Sequence, residues 1–450
     1  MQSQPEGPWS TGRFLAYVTP SILSVITVSL YMVVDGFFIS RYAGTLALAG
    51  VNIIMPLFSL CFGVGIMMAA GASALVGIEI GEGKKKLASR HFTLGILFLL
   101  FMALVLVALI FGAGSERICK ALGASELLMP LSQAYLTAFT AGLVGIMFQI
   151  YFEFFIRLDG KPIWALVVTL SGGITNVILD YFLIVKMDMG ITGAGVASAS
   201  GILVASAVGG FYFFKVSKIL SFRKPVFDGC FLKGAIVNGS SEMVTELASG
   251  VKTLIFNRVL LFWAGEAGVA AMTILIYLYF LLSSFYIGLS MGVSPLLSIS
   301  YGAKDIPRLK ELLGHSLRVI LVASVATFAL TLGFGDAIIT LFTDGRPDVT
   351  TIAQNGLTLF AGAFLVTGLN ILSSAGFTAL NNGKVSALIA FLRTFVFTIG
   401  FVLVLPSAFG LKGVWFSVTA AEILTLATCW VLVMRYREHY LGRPQAVTLG

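Results

Sequence analysis

Five carboxylic acids stand in stretches of this chain that are otherwise apolar: Asp35, Asp180, Glu242, Glu246 and Glu422. A bare carboxylate in hydrocarbon costs about 3 kcal/mol or more, so acids in such places hold a proton, bind a cation or pair with a base. Asp35 ends the run Leu30-Tyr31-Met32-Val33-Val34, and Asp180 ends the run Asn176-Val177-Ile178-Leu179. Asn176 and Asp180 are four apart and share a helix face. Two carboxyls at similar depth, with an amide one turn below, make a site for a proton or Na⁺, because proximity and burial favour the protonated or cation-bound form. The alternative is that each acid caps or hydrogen-bonds locally near a helix end. Glu242 and Glu246 are also four apart. With Glu422 they form either a second acidic region lower in the same cavity or the partners of Lys252 and Arg393, the two basic residues inside apolar runs. Glu153 and Arg157 are expected to form an i,i+4 ion pair at the membrane interface.

The elements that must position these groups are membrane helices. The chain has 450 residues, 58% hydrophobic and 11% charged, whereas soluble domains carry about 25% charged residues. A membrane span needs about 20 apolar residues. Twelve runs qualify: 14–40, 45–78, 92–113, 127–156, 162–186, 192–216, 234–262, 267–300, 313–342, 349–380, 384–406 and 411–435. No cleavable signal peptide is expected, since the first run is too long for one. With the N-terminus in the cytoplasm, twenty of the 29 basic residues fall on the inner side and seven on the outer. That is the positive-inside bias, and it places both termini in the cytoplasm. The net charge of +8 therefore reflects orientation and not nucleic-acid binding. Asp35 and Asp180 then lie about two turns short of the outer surface. The four cysteines have no metal-binding or disulfide spacing.

The chain is also written twice. Gly71-Ala72-Ser73-Ala74-Leu75, running on to Gly81, reappears 221 positions later as Gly292-Val293-Ser294-Pro295-Leu296, running on to Gly302. Each copy ends in a basic stretch. Gly160-Lys161 pairs likewise with Gly383-Lys384. Six spans per copy predict parallel repeats around a central cavity, as in many secondary transporters. The expected organisation is all-α: an N-lobe over 1–216, a cytoplasmic linker over 217–233 and a C-lobe over 234–450. Asp35 maps to Phe256 and Asp180 to Leu403. The architecture repeats but these acids do not, which favours function over scaffolding. The many glycines inside spans serve close packing or hinging, the latter at Gly172-Gly173 and beside Pro20.

Tyr31, Tyr135 and Met147 are candidates for the cavity wall, with Tyr151, Tyr277, Tyr279 and Tyr286, since aromatic faces beside carboxylates attract lipophilic cations. Gly81-Glu82-Gly83-Lys84-Lys85 fails the phosphate-loop pattern, and His91, His315 and His439 form no cluster. No enzyme activity, cofactor or resident metal is expected.

Taken together, the two six-helix lobes, the Pro20 to Asp35 spacing, Asn176-x-x-x-Asp180 and the glycine segments before basic loops resemble the multidrug and toxic compound extrusion (MATE) family, bacterial type. The resemblance covers almost the whole chain. It implies export of small organic cations and drugs, coupled to entry of H⁺ or Na⁺, by a monomer in the plasma membrane. It makes Asp35 the protonated switch, Asn176 and Asp180 its partners, Tyr135 a cavity tyrosine and Pro20 the point where the first helix bends. One feature departs from the pattern: some members carry an aspartate in the tenth helix, but residues 359–368 contain no acid here. A competing reading on the same fold is a flippase for lipid-linked precursors. Its anionic cargo calls for a basic cavity, and only two bases against five acids lie within spans.

Overall fold

The structure, a computed structural model, describes residues 7–342 and 347–442. Arg346 and Arg443, both counted in the charge distribution, lie outside them. The described residues are helical nearly throughout, with no strand. In chain order the helices are α1 (Thr11–Phe38), α2 (Thr45–Gly81), α3 (Lys85–Ala113), α4 (Ser115–Ala121), α5 (Met129–Leu158), α6 (Pro162–Leu179), α7 (Gly190–Lys215), α8 (Gly229–Gly302), α9 (Ile306–Phe342), α10 (Pro347–Ala361), α11 (Phe364–Ala379), α12 (Gly383–Phe391), α13 (Ile399–Phe409) and α14 (Leu411–Leu441). Three π-helical stretches interrupt the α-geometry, at Ile39–Ala43, Asp180–Lys186 and Leu392–Thr398. Each holds, or lies one turn beyond, a charged residue inside a span.

Ten of the described helices are long and apolar enough to cross a membrane, or eleven if α10 and α11, bent by 55°, count as one span. The sequence predicts twelve, and the difference lies in α8. Its 74 residues would extend about 110 Å if straight, against about 30 Å of hydrocarbon. The helix turns instead at Gly265, whose φ of 61° and ψ of −156° suit a residue without Cβ. The expected boundary between the seventh and eighth spans falls on this kink. The short helix α4 was not anticipated.

Two buried clusters form the core, and their membership crosses the chain midpoint. One takes residues from Ile39 to Ala235, including Phe231 and Ala235 at the start of α8. The other takes Trp9 just ahead of α1 and Phe14, Val18 and Ile22 from α1, together with residues from Phe256 to Tyr440. Close approach is achieved at glycine. A Cβ on Gly239 would collide with the Met67 carbonyl of α2, and one on Gly81 or Gly302 would strike the backbone of the other copy's helix, at Ile299 and Ile78 respectively. Positions 78 and 81 become 299 and 302 under the 221-residue slide, so the two copies touch each other through equivalent residues. The same slide carries Gly71 to Gly292 and Gly239 to Val18, and both pairs are packed. α2 against the first arm of α8 is thus mirrored by the second arm against α1.

The polar connection is tied down at Asp228, which caps α8 by accepting from the Phe231 N–H at 2.9 Å. That bond, with His91 at 3.5 Å, holds the Asp228 carboxyl below the ordinary carboxylate range. His91 also contacts Glu79 at 2.6 Å and stacks on Phe231.

Gly239→Ala is expected to destabilise the protein by roughly 1–3 kcal/mol through overpacking, whereas Gly250→Ala, which meets open space, leaves it unchanged; thermal unfolding of the purified protein in detergent distinguishes them. Asp228→Ala is expected to cost about 1 kcal/mol as a lost cap. Because the folded carboxyl is depressed, this deficit is present at neutral pH and closes as pH falls through the folded value, which melting curves at successive pH values follow.

Candidate functional site

α1, α6 and α7 bring three sequence-predicted residues together. Asp35 Oδ1 accepts from Asn176 Nδ2 at 3.5 Å and from Ser198 Oγ at 3.3 Å, and Asn176 Nδ2 also reaches Ser198 Oγ at 3.4 Å. Asp180, fully buried at the first residue of a π-helical stretch, is a direct neighbour of Asp35. Neither of its carboxyl oxygens has a hydrogen-bond donor, and neither has Asn176 Oδ1. Three buried oxygens without donors beside a fourth carboxylate oxygen form a costly arrangement in low dielectric. A proton on Asp180 would turn an orphan acceptor into a donor, and a small cation would satisfy all three.

Tyr135 and Tyr31 flank this cluster. Tyr135 is buried, stacks on Phe139 and has Asp35 and Ser198 as neighbours. Tyr31 is half-buried, with its ring against Gly173 of α6. Met147 is buried where α5 crosses α2, its backbone against Gly65. Pro20 lies inside a continuous α1, and its carbonyl accepts from Ser24 Oγ. Ser198 was missed: it is one serine in the small-residue run Gly195-Val196-Ala197-Ser198-Ala199-Ser200, and nothing in its spacing sets it apart.

Glu242, Glu246 and Glu422 do not share partners. Glu242 and Glu246 are half-buried neighbours on the first arm of α8, and Glu246 approaches Ser59 and Gly63 of α2. Glu422 is buried in the second cluster of helices and pairs with a base, as one of the two sequence readings has it. Its Oε1 accepts from Arg393 Nη2 at 2.6 Å, Arg393 Nε at 2.9 Å and the Tyr279 hydroxyl at 3.2 Å. Its Oε2 accepts from Asn370 Nδ2 at 2.7 Å. Glu153 and Arg157 pair as expected, at 3.2 Å; both are buried near the end of α5, with Gln149 and Thr169 donating to Glu153.

A family model for MatE matches residues 20–182 and 243–404, well over half of the chain. The chain belongs to the MatE family. The two matched stretches start 223 and end 222 residues apart, close to the displacement of the internal repeat. The MatE chain is 24% identical over 425 residues to "Multidrug export protein MepA" of Staphylococcus saprophyticus, covering 93% of this chain and 91% of that one. Its fold matches a crystal structure of MATE in complex with MaL6 at a TM-score of 0.91 and 20% identity, over 97% of this chain and 99% of that one. It also matches the outward-facing conformation of a multidrug resistance MATE family transporter of the MOP superfamily at 0.89 and 20% identity, over 97% of each. At these identities the structures speak for the fold. The chain is a multi-pass membrane protein.

In this MatE chain the Arg393–Glu422 pair is a stability element that can be measured. Glu422→Gln leaves Arg393 without its carboxylate and is expected to destabilise by about 3–5 kcal/mol, while the double change Arg393→Met with Glu422→Met recovers most of the loss. Thermal unfolding of the three proteins in one detergent tests this.

Proposed function

We propose that the protein is a secondary active multidrug efflux transporter, exporting cationic amphipathic compounds from the cell by antiport with H⁺ or Na⁺. Family membership and the multidrug export relatives support the efflux class. The single observation that carries the coupling is the set of orphaned oxygens at Asp180 and Asn176 beside Asp35. A proton or Na⁺ entering there would neutralise the acids that an organic cation needs, so drug and ion occupy the site in turn. A ligand shifts a conformational equilibrium only by its differential affinity for the two states. Alternate occupancy of one acidic cluster supplies that difference. The bias of basic residues places both termini in the cytoplasm, in a plasma-membrane protein that works as a monomer between an N-lobe and a C-lobe.

Asp35→Asn is expected to reduce ethidium efflux from expressing cells to the level of empty vector, with membrane abundance unchanged; full efflux by that variant would refute the coupling role. In proteoliposomes, an imposed pH gradient and an imposed Na⁺ gradient, applied separately, identify the driving ion. Efflux that responds to neither removes the antiport reading.

A further inference from the structure

The basic stretch that ends the first copy of the repeat has no match at the same positions in the second. Lys84, Lys85, Lys86 and Arg90 become Asp305, Ile306, Pro307 and Glu311 under the 221-residue slide. Residues 82–90 hold four bases and one acid, whereas residues 303–311 hold three bases and two acids. Orientation in the membrane asks for basic residues in both loops, so it does not account for the difference between them. The second loop is also engaged by the start of the chain: Arg308 donates to the Gly7 carbonyl at 2.6 Å, and Glu311 accepts from the Trp9 N–H at 2.7 Å. In the first loop Lys84 pairs with Glu82 at 2.6 Å. Lys85, Lys86 and Arg90 are exposed, and among the described residues no carboxylate pairs with them. These four bases line an open hollow of about 540 Å³.

The interlobe linker adds to this patch. It lies along α3, with the Ser221 N–H donating to Ser89 Oγ at 3.4 Å and the Arg223 N–H to Thr93 Oγ1 at 3.1 Å. Asp159 holds the preceding stretch, accepting from the Ile219 and Leu220 N–H groups at 3.2 and 3.1 Å. Arg223 and Lys224 are exposed and, among the described residues, also lack a carboxylate. Aromatic rings stand exposed beside them: Phe227 keeps 80% of its surface and Phe214 71%, and Phe222 stacks on Phe214 at 4.4 Å. Arg90 shares a stripe of α3 with Leu97 and Leu104, exposed leucines of a membrane span. Seven residues before Leu97 is about 10 Å along the helix, which brings the guanidinium to headgroup level. Exposed cations and aromatic rings at that level make an interfacial lipid contact. We propose that Lys86, Arg90, Arg223 and Lys224 bind the phosphate of an anionic phospholipid in the cytoplasmic leaflet, with Phe214 and Phe227 seated at the top of the acyl chains. The linker is then a lipid-anchored strap on the N-lobe alone. The choice of leaflet uses the orientation proposed above; the binding does not depend on what the protein carries.

The test compares fluorescently labelled phosphatidylglycerol with phosphatidylcholine carrying the same label. Their affinities for the purified full-length protein in dodecylmaltoside are measured by anisotropy at low salt. The wild type is expected to prefer phosphatidylglycerol by about tenfold or more, a preference that shrinks as salt is raised. Lys86→Gln with Arg90→Gln, and separately Arg223→Gln with Lys224→Gln, are each expected to cut that preference by about fivefold or more. Lys304→Gln with Lys310→Gln removes the same charge from the other copy and is expected to leave it within about twofold. Phe227→Ser is expected to weaken both lipids alike. All these side chains are exposed, and an unchanged melting temperature confirms that each variant is folded. No preference in the wild type, or an equal loss in the Lys304 and Lys310 control, would overturn the proposal. So would displacement of the labelled lipid by an equimolar amount of glycerol phosphate, which would mark a site for soluble anions.

Discussion

Hydrocarbon offers no water to a buried charge, so every ionised group within a span must be met from inside the bundle. Most of the polar architecture follows from that constraint. Glu153 is answered by Arg157, Gln149 and Thr169, and Glu422 by Arg393, Tyr279 and Asn370. These networks are closed on the acid side and hold helices in register. The Asp35 cluster is different. Its donors are few, its distances are long, and three of its oxygens have no donor. The open oxygens at Asp180 and Asn176 therefore set this cluster apart from the two whose carboxylates are fully engaged.

Much of this was legible in the residues. The spans are legible because about 20 apolar residues must be contiguous to cross a bilayer, although α3, α9 and α14 run six or seven residues past the apolar runs into polar sequence. The break at Gly265 was visible as a gap between two runs, even though hydrogen bonding continues around it. Asn176 and Asp180 could be placed on one face from spacing alone, and Asp35 at their depth from the direction of its span. Ser198 could not, because a serine among alanines and glycines has no periodic signature and its role depends on how α7 is rotated. The surroundings of Glu422 were half legible. Arg393 stood out as a base in an apolar run, but the choice between Arg393 and the other acids depends on packing between α8, α11 and α14. The Glu153–Arg157 pair was legible from its spacing, but its burial was not, because closeness to a helix end says nothing of what covers that end.

The duplication explains the scaffold, and its failures mark the chemistry. Reciprocal glycine contacts at Gly81 and Gly302, and the mirrored packing of Gly71 on Gly239 and Gly292 on Val18, are what two copies of one sequence produce when they meet face to face. The polar clusters obey no such symmetry. The first half holds Asp180 and Asn176 with open oxygens beside Asp35, and the second holds a carboxylate, Glu422, already engaged by Arg393, Tyr279 and Asn370.

The crossing of α1 and the first arm of α8 between the two buried clusters has a mechanical meaning. α1 starts among Phe256, Leu289 and Leu309 and ends where Ile39 joins the other cluster and Asp35 meets Asn176; the first arm of α8 runs the opposite way. Each helix is thus anchored at its two ends in different clusters, so the clusters are tied together by a pair of helices running in opposite senses. Within α1 the ring of Pro20 removes one backbone hydrogen bond, and a helix bends most easily at such a position. Fifteen residues separate it from Asp35, a lever of about 22 Å. Over that length a small change of angle at Pro20 would be magnified into a much larger displacement at Asp35.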